Sequence, residues 1–145
     1  CLNHARFGIA WGVIGAAEDC WQRAVQYSLS RHTFDRPIAA NQLIQEKLVN
    51  MQTRIAFALQ AVLCVSRLIE QQQASPEMIS ILKRDCTQDA LNIARDARDI
   101  FAGNGILDDH AVMRHAVEAA RYKGAVVQHV HRKRTRRRIF ENTRM

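Results

Sequence analysis

Apolar residues recur along the first part of the chain at spacings of three and four, the period of an amphipathic α-helix. This stripe predicts a helix from about Leu2 to Ser30. Gly8, Gly12 and Gly15 lie inside that helix, where each glycine costs about 1 kcal/mol relative to alanine. We expect their side-chain-free strip to admit another backbone or a flat ligand, with a simple kink as the alternative. The stripe consists of Phe7, Ala10, Ile14, Ala17, Trp21 and Ala24.

Residues 31–41 break the helical pattern and predict a connecting loop, because Pro37 fixes its own φ and biases the residue before it away from the helical region. Asn41 can then cap a second helix of about thirty residues. Ser75 and Pro76 are typical of the start of a third helix. The buried stripe of the second helix is predicted to be Ile44, Leu48, Met51, Ile55, Leu59, Val62 and Ile69. That of the third is predicted to be Met78, Leu82, Cys86, Ala90, Ile93, Ala97 and Phe101.

The sequence Gly103-Asn104-Gly105 should end the third helix, because these residue types can adopt the left-handed conformation. Asp108 or Asp109 can cap a fourth helix. Its inward residues would be Val112, Ala116 and Ala119. Three long amphipathic helices and a shorter fourth, joined by short connections, predict an all-α fold: an antiparallel, up-down four-helix bundle.

The composition agrees with one helical domain, since 48% of the 145 residues are apolar and only two are proline. No uninterrupted apolar run reaches about eighteen residues, and the amino terminus lacks the pattern of a secretory signal. The expectation is a soluble, unexported protein that does not enter a membrane. The four cysteines have neither zinc spacing nor the density of a disulfide framework, which predicts buried free thiols. They are Cys1, Cys20, Cys64 and Cys86.

The positive charge is concentrated at one end of the chain. Residues 129–145 hold seven of the 21 Lys and Arg residues and one acid, Glu141, so their net charge is +6 of the total +7. Residues 1–128 therefore have the ordinary balance of a globular domain. The net charge alone does not indicate a nucleic-acid-binding fold.

Four segments carry a family likeness: CLNHARFGIAWGVIGAAEDC, RHTFDRPIAANQLIQEKLVNM, SPEMISILKRD and ARDARDIFAGNGILDDHAVMRHA. Together they resemble the carboxy-terminal domain of the acyl-CoA dehydrogenases, and within that family the glutaryl-CoA branch. The likeness runs in order from about Cys1 to Ala116. It implies that residues 1–128 are the helical carboxy-terminal domain of a longer enzyme and that residues 129–145 are a divergent basic tail.

The resemblance also implies an activity. Enzymes of this family remove a proton α to a thioester carbonyl while a hydride leaves the β carbon for FAD, and in the glutaryl branch decarboxylation follows. The implied partners are an acyl-CoA substrate, the electron-transfer flavoprotein and further copies of the chain in a homodimer or homotetramer. A neighbouring subunit would contact the phosphate and adenosine end of the FAD. The implied location is the bacterial cytoplasm or the mitochondrial matrix.

By resemblance, Arg31 meets the FAD pyrophosphate, which suits a guanidinium group. Phe34 matches an aromatic residue beside the flavin, and Gln42 matches a glutamine near the same cofactor. The alternative for Arg31 is a solvated arginine at a helix end. For Phe34 it is an aromatic residue of the core, and for Gln42 it is a side chain at a helix start. The family's turn at the adenosine end matches Asp99, Ile100, Phe101, Ala102, Gly103 and Asn104, for which the alternative is an ordinary helix stop.

Leu2, Asn3 and Arg6 match first-helix residues near the acyl-CoA substrate, and the alternative is an exposed polar helix face. Arg114 matches an arginine that braces the active-site helix, with a surface salt bridge as the alternative.

The chain departs from the family at the catalytic base. A glutamate in a Tyr-Glu-Gly-Thr segment is expected, but ungapped counting from Gly105 puts Val126 there, and valine cannot accept a proton. Glu118 is about two helical turns early and is interpreted as a solvent-facing residue. No catalytic residue is therefore assigned to this chain. A shift of reading frame between about Ala116 and Tyr122 is one hypothesis for the change, and true divergence of the carboxy terminus is the other.

Two other functions stay open at this point. A small helical protein could bind nucleic acid through a basic arm in residues 129–145, although Phe140 is the only aromatic residue there for base stacking. A purely structural bundle could retain a vestigial cofactor surface. His129 and His131 lack further ligands for a metal site, so no metal is predicted.

Overall fold

A computed structural model describes residues 2–107 and 110–122, and these residues fold into four helices. They are α1 (Leu2–Ser30), α2 (Gln42–Glu70), α3 (Pro76–Phe101) and α4, which includes residues 112–122. The predicted all-α four-helix bundle is confirmed, and the first helix has the predicted bounds. Cys1, Asp108 and Asp109, Val126 and the basic tail lie outside the described residues, so the predictions made for them stay predictions.

The first two helices run in opposite directions. The indole Nε1 of Trp21, late in α1, donates a hydrogen bond to the backbone oxygen of Leu48, early in α2, at 3.1 Å. The next helix, α3, runs antiparallel to α2, since Arg54 lies 3.9 Å from Asp96. Neighbours in sequence are therefore antiparallel, as short connections require.

The third helix returns parallel to the first, and these two share the most extensive interface of the bundle. Arg6 contacts Ser80 near their first turns, and Tyr27 stacks on Phe101 near their last. Alanines on both helices are fully buried, which lets the backbones approach closely. The core of these helices includes Ala10, Val13, Ile14, Ala17, Cys20 and Ala24 from α1, and Ala90, Leu91, Ile93, Ala94, Ala97 and Phe101 from α3. Val112 and Ala119 of α4 are also buried, as predicted.

The predicted caps explain where α2 and α3 begin. Asn41 Oδ1 accepts from the backbone N–H of Leu43 at 3.0 Å, and Ser75 Oγ accepts from that of Met78 at 3.3 Å. Each side chain satisfies an amide that has no partner within the helix. Pro76 occupies the first turn of α3, where its missing N–H has no cost.

The segment between α1 and α2 is more regular than the predicted loop. The strand β1 (His32–Thr33) pairs with the antiparallel strand β2 (Arg36–Pro37), and a 3₁₀ turn (Ile38–Ala40) leads into α2. Pro37 lies at a strand end, a position that proline tolerates. These residues connect α1 to α2 as predicted, and the connection contains a short hairpin and a 3₁₀ turn.

Two details of the predicted burial are wrong. Met78 is exposed and Ile79 is buried instead, because the face of α3 that meets its neighbours is rotated by one position in the first turn. Cys64 is also exposed, since it lies on the side of α2 that faces away from the bundle, whereas Cys20 and Cys86 are buried free thiols as predicted.

One helix of the described residues, α2, is long and apolar enough to cross a membrane by length and composition alone. This is weak support for a membrane span, because many helices of other kinds pass the same test. Only 22% of its apolar window is buried within the chain. The exposed side of α2 is therefore unusually apolar.

The two buried thiols should be chemically inert in the folded chain. Burial raises the pKa of Cys20 and of Cys86 to about 12, which keeps both thiols protonated and unreactive. At pH 8, we expect iodoacetamide to spare Cys20 and Cys86 until denaturant is added, as measured by peptide mass spectrometry. Modification of either thiol in the native chain at the rate seen in denaturant would contradict this packing.

Candidate functional site

Most of the predicted cofactor residues lie at one end of the bundle, which we call the hairpin end: residues 27–47 and 99–107. Here α1 ends, the β-hairpin turns, α2 begins and α3 ends. The contacts between these segments are direct. Asn104 Nδ2 donates to the hydroxyl oxygen of Tyr27 at 3.0 Å, and Lys47 forms an ion pair with Asp99.

Arg31 connects α1 to the hairpin with its backbone and leaves its side chain in solvent. Its N–H donates to the carbonyl of Tyr27 at 2.8 Å, and its own carbonyl accepts from Ile38 N–H at 2.9 Å. Among the described residues, no carboxylate lies within salt-bridge distance of its guanidinium group. The backbone of Arg31 is therefore fixed by hydrogen bonds, and its exposed guanidinium group can meet an anion.

Phe34 lies at the tip of the hairpin and is 99% exposed. It and Asp35 have φ of 53° and 60°, the left-handed pair that a two-residue hairpin turn requires and that Asn-Gly adopts most readily. A bulky aromatic residue at positive φ is uncommon and strained. The ring of Phe34 is therefore open to a partner beyond the described residues.

Gln42 is the first residue of α2, and its side chain is exposed. It lies one residue after the cap and faces solvent at the positive end of the helix dipole. Gln45 stabilises the entry to the helix, since its Nε2 donates to the carbonyl of Ala39 at 2.9 Å. The predicted glutamine is thus at the hairpin end and available to a ligand.

The turn after α3 is anchored by an aromatic cluster that the sequence did not reveal. The ring of Phe101 stacks on Tyr27 with centroids 4.3 Å apart and contacts the ring of His110 at 4.6 Å. The side chains of Ile100 and Phe101 are buried, so only their backbone could approach a ligand. Asp99, Ala102, Gly103 and Asn104 are exposed.

The left-handed residue that ends α3 is Ala102, with φ of 50°, and none of the described glycines has positive φ. The prediction that glycine supplies this conformation was therefore wrong. Gly105 is required for a different reason: a Cβ there would lie 2.6 Å from the backbone oxygen of Arg98. The turn folds back against α3 too closely for any side chain.

The predicted substrate residues lie at the opposite end of the bundle. Leu2 and Asn3 are one turn before Arg6 on α1, and Arg6 Nη1 donates to Ser80 Oγ at 3.2 Å. With a rise of about 1.5 Å per residue, about 36 Å separates Arg6 from Ser30. The predicted substrate residues and the predicted cofactor residues of one chain therefore lie at opposite ends of α1.

The glycine strip lines an open groove of about 380 Å³ between α1 and α4. A Cβ on Gly8, Gly12 or Gly15 would meet nothing within 4 Å, so no backbone within residues 2–107 and 110–122 approaches this strip closely. Gly8 and Gly12 line the groove, which leaves the expectation of a ligand or a further segment untested. Glu118 also lines the groove and is exposed, as predicted.

A polar contact closes one side of this groove. His115 Nε2 lies 3.0 Å from Asp19 Oδ2, and Arg23 Nε donates to the same oxygen at 2.7 Å. The hydrogen bond from Arg23 lowers the pKa of Asp19. Partial burial acts in the opposite direction, and the contact with His115 lowers the pKa further. These groups fix α4 on α1, but they provide no nucleophile. Arg114 is exposed.

Comparisons with known proteins agree with this geometry. The family model described as "Acyl-CoA dehydrogenase, C-terminal domain" matches residues 1–139. The chain belongs to the acyl-CoA dehydrogenase family. The match extends past Ala116, where the sequence likeness was seen to fade, and includes Val126 and part of the basic segment.

Individual members of the acyl-CoA dehydrogenase family are similar in sequence and in structure. The chain is 37% identical over 113 residues to an acyl-CoA dehydrogenase of Bacillus subtilis, covering 78% of this chain and 30% of that protein. Glutaryl-CoA dehydrogenase from Mycobacterium smegmatis superposes with a TM-score of 0.82 and 39% identity, over 84% of this chain and 32% of that one. A structure described as glutaryl-CoA dehydrogenase from the same organism in complex with FADH2 also superposes with a TM-score of 0.82. Its sequence identity is 36%, and the same shares of the two chains are covered. The chain thus spans about a third of the length of these relatives.

Some residues that shape the hairpin end were missed from sequence. Tyr27, His110 and Lys47 make its key contacts, but nothing in their spacing connects residues so far apart in the chain. The tyrosine and histidine could have been noted as polar aromatic residues near helix ends. Their partners become visible only once α1 and α3 are known to run parallel.

The two glycines of the turn should differ sharply in their tolerance of a side chain. We expect Gly105→Ala to destabilise the fold by about 1–3 kcal/mol, because its methyl group would overlap the Arg98 carbonyl. Gly103→Ala is the matched control: its Cβ meets nothing, and its effect should stay within about 0.5 kcal/mol. Urea denaturation measures both, and similar values would contradict the close packing at Gly105.

Proposed function

We propose that this chain is the carboxy-terminal helical part of an FAD-dependent acyl-CoA dehydrogenase and that its hairpin end binds FAD. The observation that carries the proposal is the gathering of Arg31, Phe34 and Gln42 beside the 102–106 turn. Family membership and the described FADH2 complex of a relative support it. When bound, the flavin would accept a hydride from the acyl thioester.

The residues present fit such a cofactor. Arg31, whose guanidinium group has no carboxylate partner in the part of the chain that the structure describes, can offer a pyrophosphate two parallel charge-assisted hydrogen bonds. Phe34 presents an apolar ring to a flat partner. The backbone of the exposed turn residues 102–104 can approach an adenosine, since no bulky side chain covers it. Gln42 can add a neutral hydrogen bond at the start of α2.

At the other end of α1, we propose that Leu2, Asn3 and Arg6 face the acyl-CoA substrate. Glutaryl-CoA is the proposed substrate, and the support is the similarity to the M. smegmatis enzyme. We assign no proton-abstracting residue to this chain, because Val126 occupies the expected position. The electron-transfer flavoprotein is the proposed acceptor of the flavin's electrons. The proposed location is the bacterial cytoplasm or the mitochondrial matrix.

The distance along α1 supports a homo-oligomer. Along α1, about 36 Å separates Arg6 from Ser30, so the proposed substrate residues and the proposed cofactor residues of one chain lie far apart. We therefore propose that the hairpin end completes the FAD site of a neighbouring copy, in a dimer or a tetramer.

The exposed side of α2 is the proposed contact between copies. Lys47 and Arg54 of α2 pair with Asp99 and Asp96 of α3, and on the other side of the helix Val49 and Phe57 are 63% and 72% exposed. We define this α2 face as Val49, Thr53, Ala56, Phe57, Gln60, Leu63 and Cys64. An exposed apolar patch of this kind indicates a surface that another molecule covers. The α2 helix of a second copy would match it in length and in apolar composition.

Removing the Arg31 side chain should weaken FAD binding. We expect Arg31→Ala to raise the Kd at least about 10-fold, because a charge-assisted contact to phosphate is lost. Arg67→Ala, an exposed arginine at the far end of α2, is the control and should bind like the unaltered chain. Quenching of flavin fluorescence measures both. Equal affinities of the two variants, or no FAD binding by the unaltered chain, would count against the proposal.

A charge on the α2 face should separate the copies. We expect Phe57→Asp to shift the chain to monomer, because the carboxylate would be desolvated in the contact. Gln22→Asp adds the same charge to an exposed position of α1 and should leave assembly unchanged. Light scattering after size exclusion gives the mass. A monomeric unaltered chain, or one that partitions into lipid vesicles through α2, would contradict a contact between copies.

A further inference from the structure

An ion pair joins the first turns of α2 to the last turn of α3 at the hairpin end. Lys47 Nζ donates a hydrogen bond to Asp99 Oδ2, although the two residues are 52 positions apart in sequence. Their side chains are 35% and 65% exposed, and exposed ion pairs contribute little to stability. The position of this pair beside the proposed cofactor residues therefore matters more than its strength.

Asp99 has an electrostatically unfavourable position in α3. The last turn of a helix carries the negative end of the helix dipole, and a carboxylate there adds to that negative potential. Arg98 precedes Asp99, but successive residues point about 100° apart around a helix, and the Arg98 side chain lies against Gly105 instead. Among the residues that the structure describes, only Lys47 lies within salt-bridge distance of this carboxylate.

The formal charges of the hairpin end are balanced. Three of its residues are basic and three are acidic, which gives a formal net charge of zero. The basic residues are Arg31, Arg36 and Lys47, and the acidic residues are Asp35, Glu46 and Asp99. Loss of Lys47 alone would leave this end of the bundle negative. A pyrophosphate is itself an anion, so it would then meet a repulsive field.

We propose that Lys47 is a positioning residue of the FAD site that acts through Asp99. It neutralises the Asp99 carboxylate, which allows the hairpin end to accept the pyrophosphate proposed for Arg31. In this role Lys47 changes the electrostatic field at the site and does not itself contact the cofactor. The inference rests on the proposed function and adds to it a residue that the family resemblance did not assign.

Quenching of flavin fluorescence by the full 145-residue chain measures the effect of Lys47 on FAD binding. We expect Lys47→Met to raise the Kd about 5-fold, the order expected when one unit charge acts on a nearby anion through solvent. Lys47→Arg keeps a cation beside the carboxylate and should bind within about 2-fold of the unaltered chain. Arg84→Met is the matched control, because it removes a cation from the exposed pair with Asp85, about 21 Å along α3 from Asp99. Its Kd should stay unchanged.

Removal of the carboxylate distinguishes a charge effect from a structural one. Asp99→Asn in the Lys47→Met background should restore the Kd, because no carboxylate is left to neutralise. If Lys47 only tied α2 to α3, the double variant would bind as weakly as Lys47→Met, since the tie is broken in both. The ratio of the Lys47→Met Kd to the unaltered Kd should also fall as sodium chloride is raised from about 0.05 M to about 0.5 M, because salt screens the repulsion.

A variant that keeps Lys47 guards against loss of the fold in Lys47→Met. Asp99→Asn alone should lower the Kd for FAD below that of the unaltered chain, because Lys47 then adds a positive charge that no carboxylate balances. Both side chains are largely in solvent, so we expect the Tm of each variant, measured by circular dichroism, to stay close to that of the unaltered chain.

The outcomes separate this inference from the proposed function. Absence of FAD binding by the unaltered chain would overturn both. Binding that Arg31→Ala weakens and Lys47→Met leaves unchanged would overturn the role of Lys47 alone. An equal loss in Arg84→Met would do the same, as would a double variant that Asp99→Asn fails to restore or a higher Kd in Asp99→Asn by itself. A loss in Lys47→Met that both Lys47→Arg and Asp99→Asn reverse would support it.

Discussion

The contact between the rings of Tyr27 and Phe101 is the constraint on which the hairpin end depends. It joins the last turns of two parallel helices, and the Tyr27 hydroxyl receives the amide of Asn104 from the following turn. The stacked rings bury the apolar surface of Tyr27, and its hydroxyl group keeps a hydrogen-bond partner in Asn104. The turn after α3 is thereby held against the segment that carries Arg31. The proposed cofactor surface, which is made of residues distant in sequence, depends on this packing arrangement.

The parallel arrangement of α1 and α3 also separates the two proposed functions of the chain in space. One end presents an exposed arginine and an exposed aromatic ring, and the other holds Leu2, Asn3 and Arg6. Because the full length of α1 lies between them, the residues at one end of a chain cannot reach a ligand bound at the other end. In the proposed homo-oligomer, a neighbouring copy would bring the two ends together, and the apolar side of α2 would be the surface that it binds.

The sequence predicted the helices well, because helix boundaries depend on local features. The period of the apolar stripe, the Asn41 and Ser75 caps and Pro76 all act within a few residues of the positions that they determine. The arrangement of Arg31, Gln42 and the 102–106 turn at one end followed from the antiparallel order and the family resemblance. Local patterns could not show which conformation Phe34 or Ala102 adopts, since the surrounding packing imposes a positive φ that their residue types disfavour. The burial of Lys83, which is 4% exposed on α3, was hidden for a similar reason, because a lysine in an amphipathic helix reads as a solvent-facing residue.

Hydrogen exchange in a Tyr27→Leu variant tests the central role of the aromatic contact most directly. The amide of Leu107, which donates to Asn104, reports on the turn, and the amide of Ile79, which donates to Ser75, reports on the far end of α3. If Tyr27 holds the turn, exchange at Leu107 should accelerate while exchange at Ile79 stays close to that of the unaltered chain. An unchanged rate at Leu107, or equal acceleration at both amides, would contradict the account.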